Sequence, residues 1–421
     1  MKKKTSQTKK TLLILHPYTF TEFKYYQYEL LYLVKKKNYK VIIHDLSSIS
    51  SNKEYDKIWK TKREKRAIVF PSLLSWISAF NKIRKRKNIL IYDFLHYGEV
   101  NFQVFIVELF LMFSQHPILK PSILDVPSYI SKKNLRFYLS KILKYKLNLK
   151  TYFIKIKEKF FSTLIKLIKF KKIFIMTNKD FNPFENKKNI NLIKGHSFDY
   201  SNSLLKKYNN SNKINKKKYI VYLDIGIPYF AGDATALRQE IKKVDNESYY
   251  RDLNLYFDEL EKLYKAKVIV IPHSKYKITK LKNKNLNPYF NNRLTDNSYN
   301  ATAKLIPKCL FVTSHGSTAL SYAIINYKSV RFLYTKSYNL YDGAQDKDIL
   351  LQAKILGAKT VDFVNVKKKD LFRSLKVNKA KYDLYKYEFL TYKSKKPVKS
   401  IHKIIEDLMN QLFKKNKFKL Q

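Results

Sequence analysis

Four places in this sequence set polar, reactive side chains directly behind a short apolar run. They are His16-Pro17 after Thr11 to Leu15, Asp224-Ile225-Gly226 after Tyr219 to Leu223, Pro272-His273-Ser274 after Val268 to Ile271, and Ser314-His315-Gly316-Ser317-Thr318 after Leu310 to Thr313. If the runs are strands of parallel sheets, these are the ligand-facing positions, because open α/β sheets bind beyond the carboxyl ends of their strands. The last place is the richest. A Ser/Gly/Ser/Thr turn leading into a helix over Ala319 to Ile325 exposes backbone N–H groups and hydroxyls at the positive end of a helix dipole, which suits a phosphate. The same residues also suit a plain cap, with Ser314 or Ser317 satisfying the free amides of a helix that binds nothing. His273 stands between a buried strand and a polar loop, where an imidazole can donate to a phosphate or stabilise a leaving group near neutral pH. A lone strand-end histidine is commonly structural, but His273 and the 314–318 turn belong to one domain and would converge on one crevice, which favours a ligand.

Two carboxylates, Asp224 and Asp233, lie in the irregular stretch after the strand at 219 and are candidates for a general base acting on an acceptor hydroxyl. Either could instead cap a helix beginning near Thr235. Glu22, in the loop after the first strand, is a third candidate. The chain has no His/Cys/Asp cluster with metal-ligand spacing and no Gly-x-Ser-x-Gly elbow. Metal-free chemistry without a resident cofactor is the expectation.

The elements that must position these residues read as two α/β series. Thr11 to Leu15, a helical pattern through Leu30, Leu31 and Val34, and Val41 to Ile43 form an opening strand-helix-strand unit. Ala67 to Phe70, Ile89 to Tyr92 and Ile173 to Met176 are further strands, their continuous apolar runs matching parallel strands buried on both faces. A Lys- and Asn-dominated stretch, Lys206 to Lys218, is the best linker. A second series follows: a strand at Tyr219 to Leu223, an amphipathic helix over Tyr249 to Lys265, strands at 268–271, 310–313 and 330–333, and a terminal amphipathic helix at 401–414. The expectation is two Rossmann-like domains, 1–205 and 206–421, facing each other across a cleft, a size that two separate cores serve better than one.

The chain of 421 residues carries a formal charge of +52, which ordinarily points to a polyanionic partner. Of its 85 basic residues 75 are Lys and only 10 Arg. Arg is the residue suited to bidentate phosphate and guanine contacts, so nucleic acid is not the expected partner. Lys141 to Lys172 holds eleven Lys and one acid, Glu158, interleaved with Leu, Ile, Phe and Tyr. That is either a basic amphipathic element for an anionic membrane surface or an ordinary surface helix of a Lys-rich protein. The single cysteine, Cys309, excludes an intramolecular disulfide and fits a reducing compartment. The apolar stretch Leu12 to Leu15 is too short for a signal-peptide core. The longest apolar segment, Phe102 to Phe113, falls short of a membrane span. A cytoplasmic protein, peripheral at most on a membrane, is expected.

Several strings together resemble proteins encoded among bacterial surface-polysaccharide (capsule and lipopolysaccharide) genes. These are Gly195-His196-Ser197-Phe198-Asp199-Tyr200, Leu223-Asp224 with Pro228 and Asp233, Tyr249-Tyr250 to Glu261, Pro272-His273-Ser274-Lys275-Tyr276, Arg293 before Thr295, and Ser314-His315-Gly316-Ser317-Thr318-Ala319 with Lys328 beyond. Those proteins look like GT-B glycosyltransferases, and the second half is similar to the sialyltransferase, polysialyltransferase and Kdo-transferase group. The resemblance implies a nucleotide-sugar donor, cytidine monophosphate-linked in that group, and a glycan or glycolipid acceptor. It places the donor phosphate at His273, phosphate or ribose at Ser317 and Thr318, with Ser274, Arg293, Ser314, His315 and Gly316 around them, and Asp224 as base. Ser274 departs from the group, which has proline after the histidine. The competing expectations are a sugar-nucleotide epimerase of the same shape and a non-catalytic basic protein that binds membrane or nucleic acid.

Overall fold

The computed structural model describes residues 9–36, 38–50, 63–97, 100–122, 149–168, 170–179, 190–205, 218–225, 245–273, 286–298, 300–338, 344–372 and 375–414. The chain forms two compact α/β units. Asp233, Ser274, the linker at 206–217 and the 141–148 part of the Lys-rich stretch lie outside the described residues.

Among the described residues, the first unit is built on seven parallel strands in the order β3-β2-β1-β4-β5-β6-β7. They are β1 (Lys10–His16), β2 (Tyr39–Asp45), β3 (Ala67–Val69), β4 (Ile89–Asp93), β5 (Ile118–Pro121), β6 (Ile173–Thr177) and β7 (Ile190–Lys194). β1 and β4 are buried along nearly their whole length, as their unbroken apolar runs require. β5 and β7 escape the sequence reading for opposite reasons. β5 is four residues long and contains a lysine, and β7 is a half-exposed edge strand. The ammonium of Lys120 lies 2.8 Å from both Asp93 and Glu108 in the interior. Burial pulls its pKa down, but the two carboxylates outweigh burial and hold it above its ordinary value.

Helices α1 (Glu22–Gln27), α2 (Leu30–Val34), α3 (Leu73–Arg84), α4 (Phe102–Ser114) and α5 (Leu149–Leu167) belong to this unit. α3 starts at a reciprocal Ser72/Ser75 capping box, and α4 at Asn101, whose side chain accepts from Val104 N at 2.8 Å. Trp76 and Phe80 of α3 stack in the core with ring centroids 4.8 Å apart.

Among the described residues, the second unit holds five parallel strands in the order β14-β13-β12-β8-β9. These are β8 (Tyr219–Leu223), β9 (Lys267–Ile271), β12 (Phe311–Ser314), β13 (Ser329–Leu333) and β14 (Lys359–Val361), with a short antiparallel ribbon of β10 (Leu286–Asn287) and β11 (Arg293–Leu294) beside them. Alternate residues of β8 enter two separate cores: Tyr219, Val221 and Leu223 one, Ile220 and Tyr222 the other. The second core receives the apolar face of α7 (Asn246–Tyr264), with Tyr249, Leu253, Tyr256, Phe257 and Leu260 buried. α6 (Phe198–Leu204), α8 (Ser321–Ile325) and α9 (Ala344–Leu356) complete what the site requires.

Both units are Rossmann-like, but the division falls elsewhere than at 205/206. Residues 196–205 pack with the second unit, and the terminal helix α10 (Ile401–Lys414) returns to the first. The reasons are local. Ser197 N–H donates to the Leu390 carbonyl at 2.7 Å and starts α6 as its cap, which ties this segment to the second unit. The α10 helix buries Ile401, Ile405 and Met409, and His402 meets the buried Glu29 of the first.

Candidate functional site

Strand register decides which of the expected residues come together. Ser314 of β12 pairs with Leu223 of β8, and Leu223 pairs with Ile271 of β9. The three strands are adjacent and parallel, so the residues that follow them leave from one sheet edge: Asp224, Pro272-His273, and the His315 to Thr318 turn. Neighbouring strands lie about 4.8 Å apart, which sets the outer two ends about 10 Å from each other. Asp224 N–H donates to the Ile271 carbonyl at 3.0 Å, extending the pairing one residue past the end of β8.

The turn divides into a buried half and a presented half. Ser314 is fully buried, and its Oγ donates to the Leu223 carbonyl at 3.0 Å, so it joins two strands. His315 is buried as well. Its Nε2 lies 2.9 Å from the Tyr249 hydroxyl, and its ring meets Phe363 edge-on. Burial pulls the His315 pKa down to about 3, against a smaller opposite effect of the Leu333 backbone, so the ring is neutral at physiological pH. These two residues, expected at the donor, therefore anchor the turn from below. Gly316 takes φ +98°, a backbone that side-chain-bearing residues rarely adopt. Ser317 is the cap, accepting from Ala319 N–H at 3.2 Å, and Thr318 is exposed. Among the described residues, no group accepts from the N–H of Gly316, Ser317 or Thr318.

The helix behind the turn differs from expectation. Thr318–Leu320 is a single 3-10 turn, and the α-helix proper covers only Ser321–Ile325. So short a helix supplies little macrodipole, and the turn must act through its individual N–H groups and hydroxyls.

Asp224 is almost completely buried beside Tyr222 and Tyr249. Burial raises both phenols well above their ordinary pKa, and the Asp224 charge adds to the effect. His273 is half-buried at the same edge. Glu22 stands exposed in the first turn of α1, behind the Thr21 cap.

Arg293 is not at this edge as a free cation. Its guanidinium donates to Asn254 at 2.7 Å, pairs with Asp258 and, at 3.4 Å, with Glu261, and lies over the Phe257 ring. Three polar partners on α7 commit it to clasping the β10-β11 ribbon, which explains why a lone arginine stands there. Sequence reasoning missed two partners of the site. Tyr249 sits in the first turn of α7 and belongs to the Tyr249-Tyr250 to Glu261 string, but nothing in that string marks it as a partner of His315. Asp199 receives the Ser321 hydroxyl at 2.7 Å, which fastens α6 to the first residue of α8. Asp199 does belong to the Gly195 to Tyr200 string, and two hydroxyl- or acid-bearing turns in one domain are the signal that could have linked them. His196 of that string is fully buried without a polar partner among the described residues, and burial lowers its pKa to about 4. Among the described residues, no group of three or more His, Cys, Asp or Glu is arranged to hold a metal ion.

No family model matches this chain, and no curated protein sequence matches it. Solved structures similar to it include a putative UDP-N-acetylglucosamine 2-epimerase from Listeria monocytogenes, at 10% identity and TM-score 0.44, covering 97% of each chain. The glycosyltransferase SnogD from Streptomyces nogalater is 9% identical at TM-score 0.45, over 96% of this chain and 99% of that one. Phytolacca americana UGT2, solved with UDP-2fluoro-glucose and pterostilbene, is 10% identical at TM-score 0.49 with the same coverage.

Proposed function

We propose that the β8-β9-β12 edge of the second unit binds a nucleotide sugar and that the protein is a glycosyltransferase. The observation that carries this reading is the register that sets Asp224, His273 and the Gly316 to Thr318 turn side by side. A span of about 10 Å between the outer strand ends suits a phosphate-linked sugar better than a bare anion. The N–H groups of Gly316, Ser317 and Thr318 and the Thr318 hydroxyl would hold the donor phosphate, with His273 on its other side. Transfer is displacement at the anomeric carbon. A carboxylate, Asp224 or Asp233, takes the acceptor hydroxyl proton, the hydroxyl oxygen bonds to the anomeric carbon, and the bond to the phosphate oxygen breaks. The electron pair leaves on the phosphate, where His273 and the turn stabilise it. The likeness to surface-polysaccharide proteins supports a cytidine-linked donor and a capsule or lipopolysaccharide acceptor.

The test measures sugar release and transfer with cytidine- and uridine-linked donors, for the natural protein and for folded His273→Ala and Thr318→Ala. Loss of transfer in both variants supports the assignment. Unchanged turnover in both removes the site, and conversion of the donor's sugar with no acceptor present replaces transferase with epimerase.

A further inference from the structure

Two neighbouring helices of the first unit carry an apolar surface that faces outward. α4 has one charged residue along its length, Glu108, and that residue is buried on Lys120. The outer side of α4 is therefore without charge: Phe102 is 55% and Phe113 66% exposed, and Phe105, Ile106 and Leu109 are partly exposed between them. A soluble helix ordinarily turns charged residues to this side. α5 packs against α4 through Phe161, whose ring centroid lies 5.8 Å from that of Phe102 and 6.0 Å from that of Phe105.

α5 then adds a second row. Ile156, Phe160 and Leu167 fall at i, i+4 and i+11, on one side of the helix, and are 47%, 57% and 71% exposed. Phe160 meets Phe161 edge-on at 5.3 Å, so its ring continues the aromatic surface from α4. Exposed Lys157, Lys159 and Lys166 flank this row, and exposed Lys171 and Lys172 follow the helix. The pattern differs from a plain solvated helix, whose outward row would be polar. It also differs from a protein interface core, where lysine is depleted.

We propose that the α4-α5 face docks on an anionic phospholipid bilayer, with Phe102, Phe160 and Leu167 entering the acyl boundary and the lysines meeting lipid phosphates. Two features choose this occupant. Apolar side chains flanked by long cationic ones match the two layers of a bilayer surface, because the lysine stems lie along the apolar boundary while their heads reach the phosphates. The chain's charge of +52 complements anionic lipid and opposes a second copy of itself. No described helix is long and apolar enough to cross a membrane, so contact is in the interfacial plane.

The experiment is flotation of the full chain with vesicles of phosphatidylcholine alone and of phosphatidylcholine mixed with phosphatidylglycerol. It compares the natural protein with Phe160→Asp/Leu167→Asp and with Lys157→Gln/Lys159→Gln/Lys166→Gln, each checked for native circular dichroism. The expected result is binding to the anionic vesicles only, weakened about tenfold or more in each variant. Equal binding to both vesicle types, or anionic binding that neither variant weakens, overturns the proposal. So does self-association in solution that Phe160→Asp/Leu167→Asp abolishes, because the face would then join copies of the chain. The lysine variant keeps the aspartate pair's membrane result interpretable if the aspartates disturb folding.

Discussion

The Tyr249 hydroxyl and Nε2 of His315 lie 2.9 Å apart in an interior closed to solvent, one on a helix and the other at the root of the candidate phosphate turn. Because burial keeps His315 neutral, one partner donates and the other accepts, and neither has water to fall back on. Tyr249→Phe is expected to cost about 1–3 kcal/mol, the penalty for leaving a buried polar group unmade. Thermal unfolding would show it as a lower Tm, and nucleotide affinity should weaken with it if the pair holds the turn. Full stability in the variant would remove the anchoring role.

Gly316 makes the turn through its backbone. Gly316→Ala places a methyl 3.2 Å from Ile349 Cγ1 and requires alanine at φ +98°. The expected loss is about 1–2 kcal/mol from the conformation alone. Combining it with Ile349→Ala should leave most of that loss in place, because removing the contact does not change φ. A complete rescue by Ile349→Ala would show that crowding, not backbone, requires glycine here.

The placement of the candidate residues is largely legible in the sequence because they obey strand logic. Continuous apolar runs located β8, β9 and β12 within a residue, and the rule that ligands lie beyond strand ends then selected Asp224, His273 and the 314–318 turn. What could not be read was orientation. Ser314 and Thr318 are four residues apart and look equally available, yet one is fully buried on Leu223 and the other exposed. Arg293 enters as a donor ligand through the family resemblance alone, and its partners Asn254, Asp258 and Glu261 come from a helix that the sequence separates from it. The terminal helix was found by its periodicity, but amphipathic periodicity says that a face is buried and not against what.

Stability should fall on mild acidification. Burial holds His44 and His315 down at about 3 and His96 and His196 at about 4, whereas an unfolded histidine titrates near 6.5. Between these values the unfolded chain binds protons that the folded chain refuses. The stability these groups contribute is therefore full above about pH 6.5 and is lost as pH falls toward 4. Each contributes a slope of at most about 1.4 kcal/mol per pH unit. Denaturant unfolding at a series of pH values should show proton uptake on unfolding, and a flat stability between pH 7 and pH 5 would contradict the burial of these rings.

The terminal helix supplies the sharpest stability test in the first unit. Glu29 is fully buried and takes a left-handed backbone, φ 57°. Its Oε2 accepts from His402 N–H at 3.0 Å and lies 2.5 Å from His402 Nδ1, while the His402 ring stacks on Tyr32 at 4.8 Å. Around this pair, Lys36 meets Glu406 and the Tyr39 hydroxyl reaches Asn410 at 3.1 Å, so four side chains attach one face of α10. The outer ion pair is partly exposed and should contribute little. Removing Glu29 is different, because the buried His402 N–H loses its acceptor while its ring Nδ1 keeps the Ser400 hydroxyl at 3.0 Å, at a cost of about 1–3 kcal/mol. Glu29→Ala should therefore destabilise the protein far more than Glu406→Ala. Hydrogen exchange should quicken first over 401–414, because that helix hangs on the pair while the sheet does not. Comparable losses in the two variants would mean that apolar contacts of Ile401, Ile405 and Met409 hold α10 and the buried pair only sets its register.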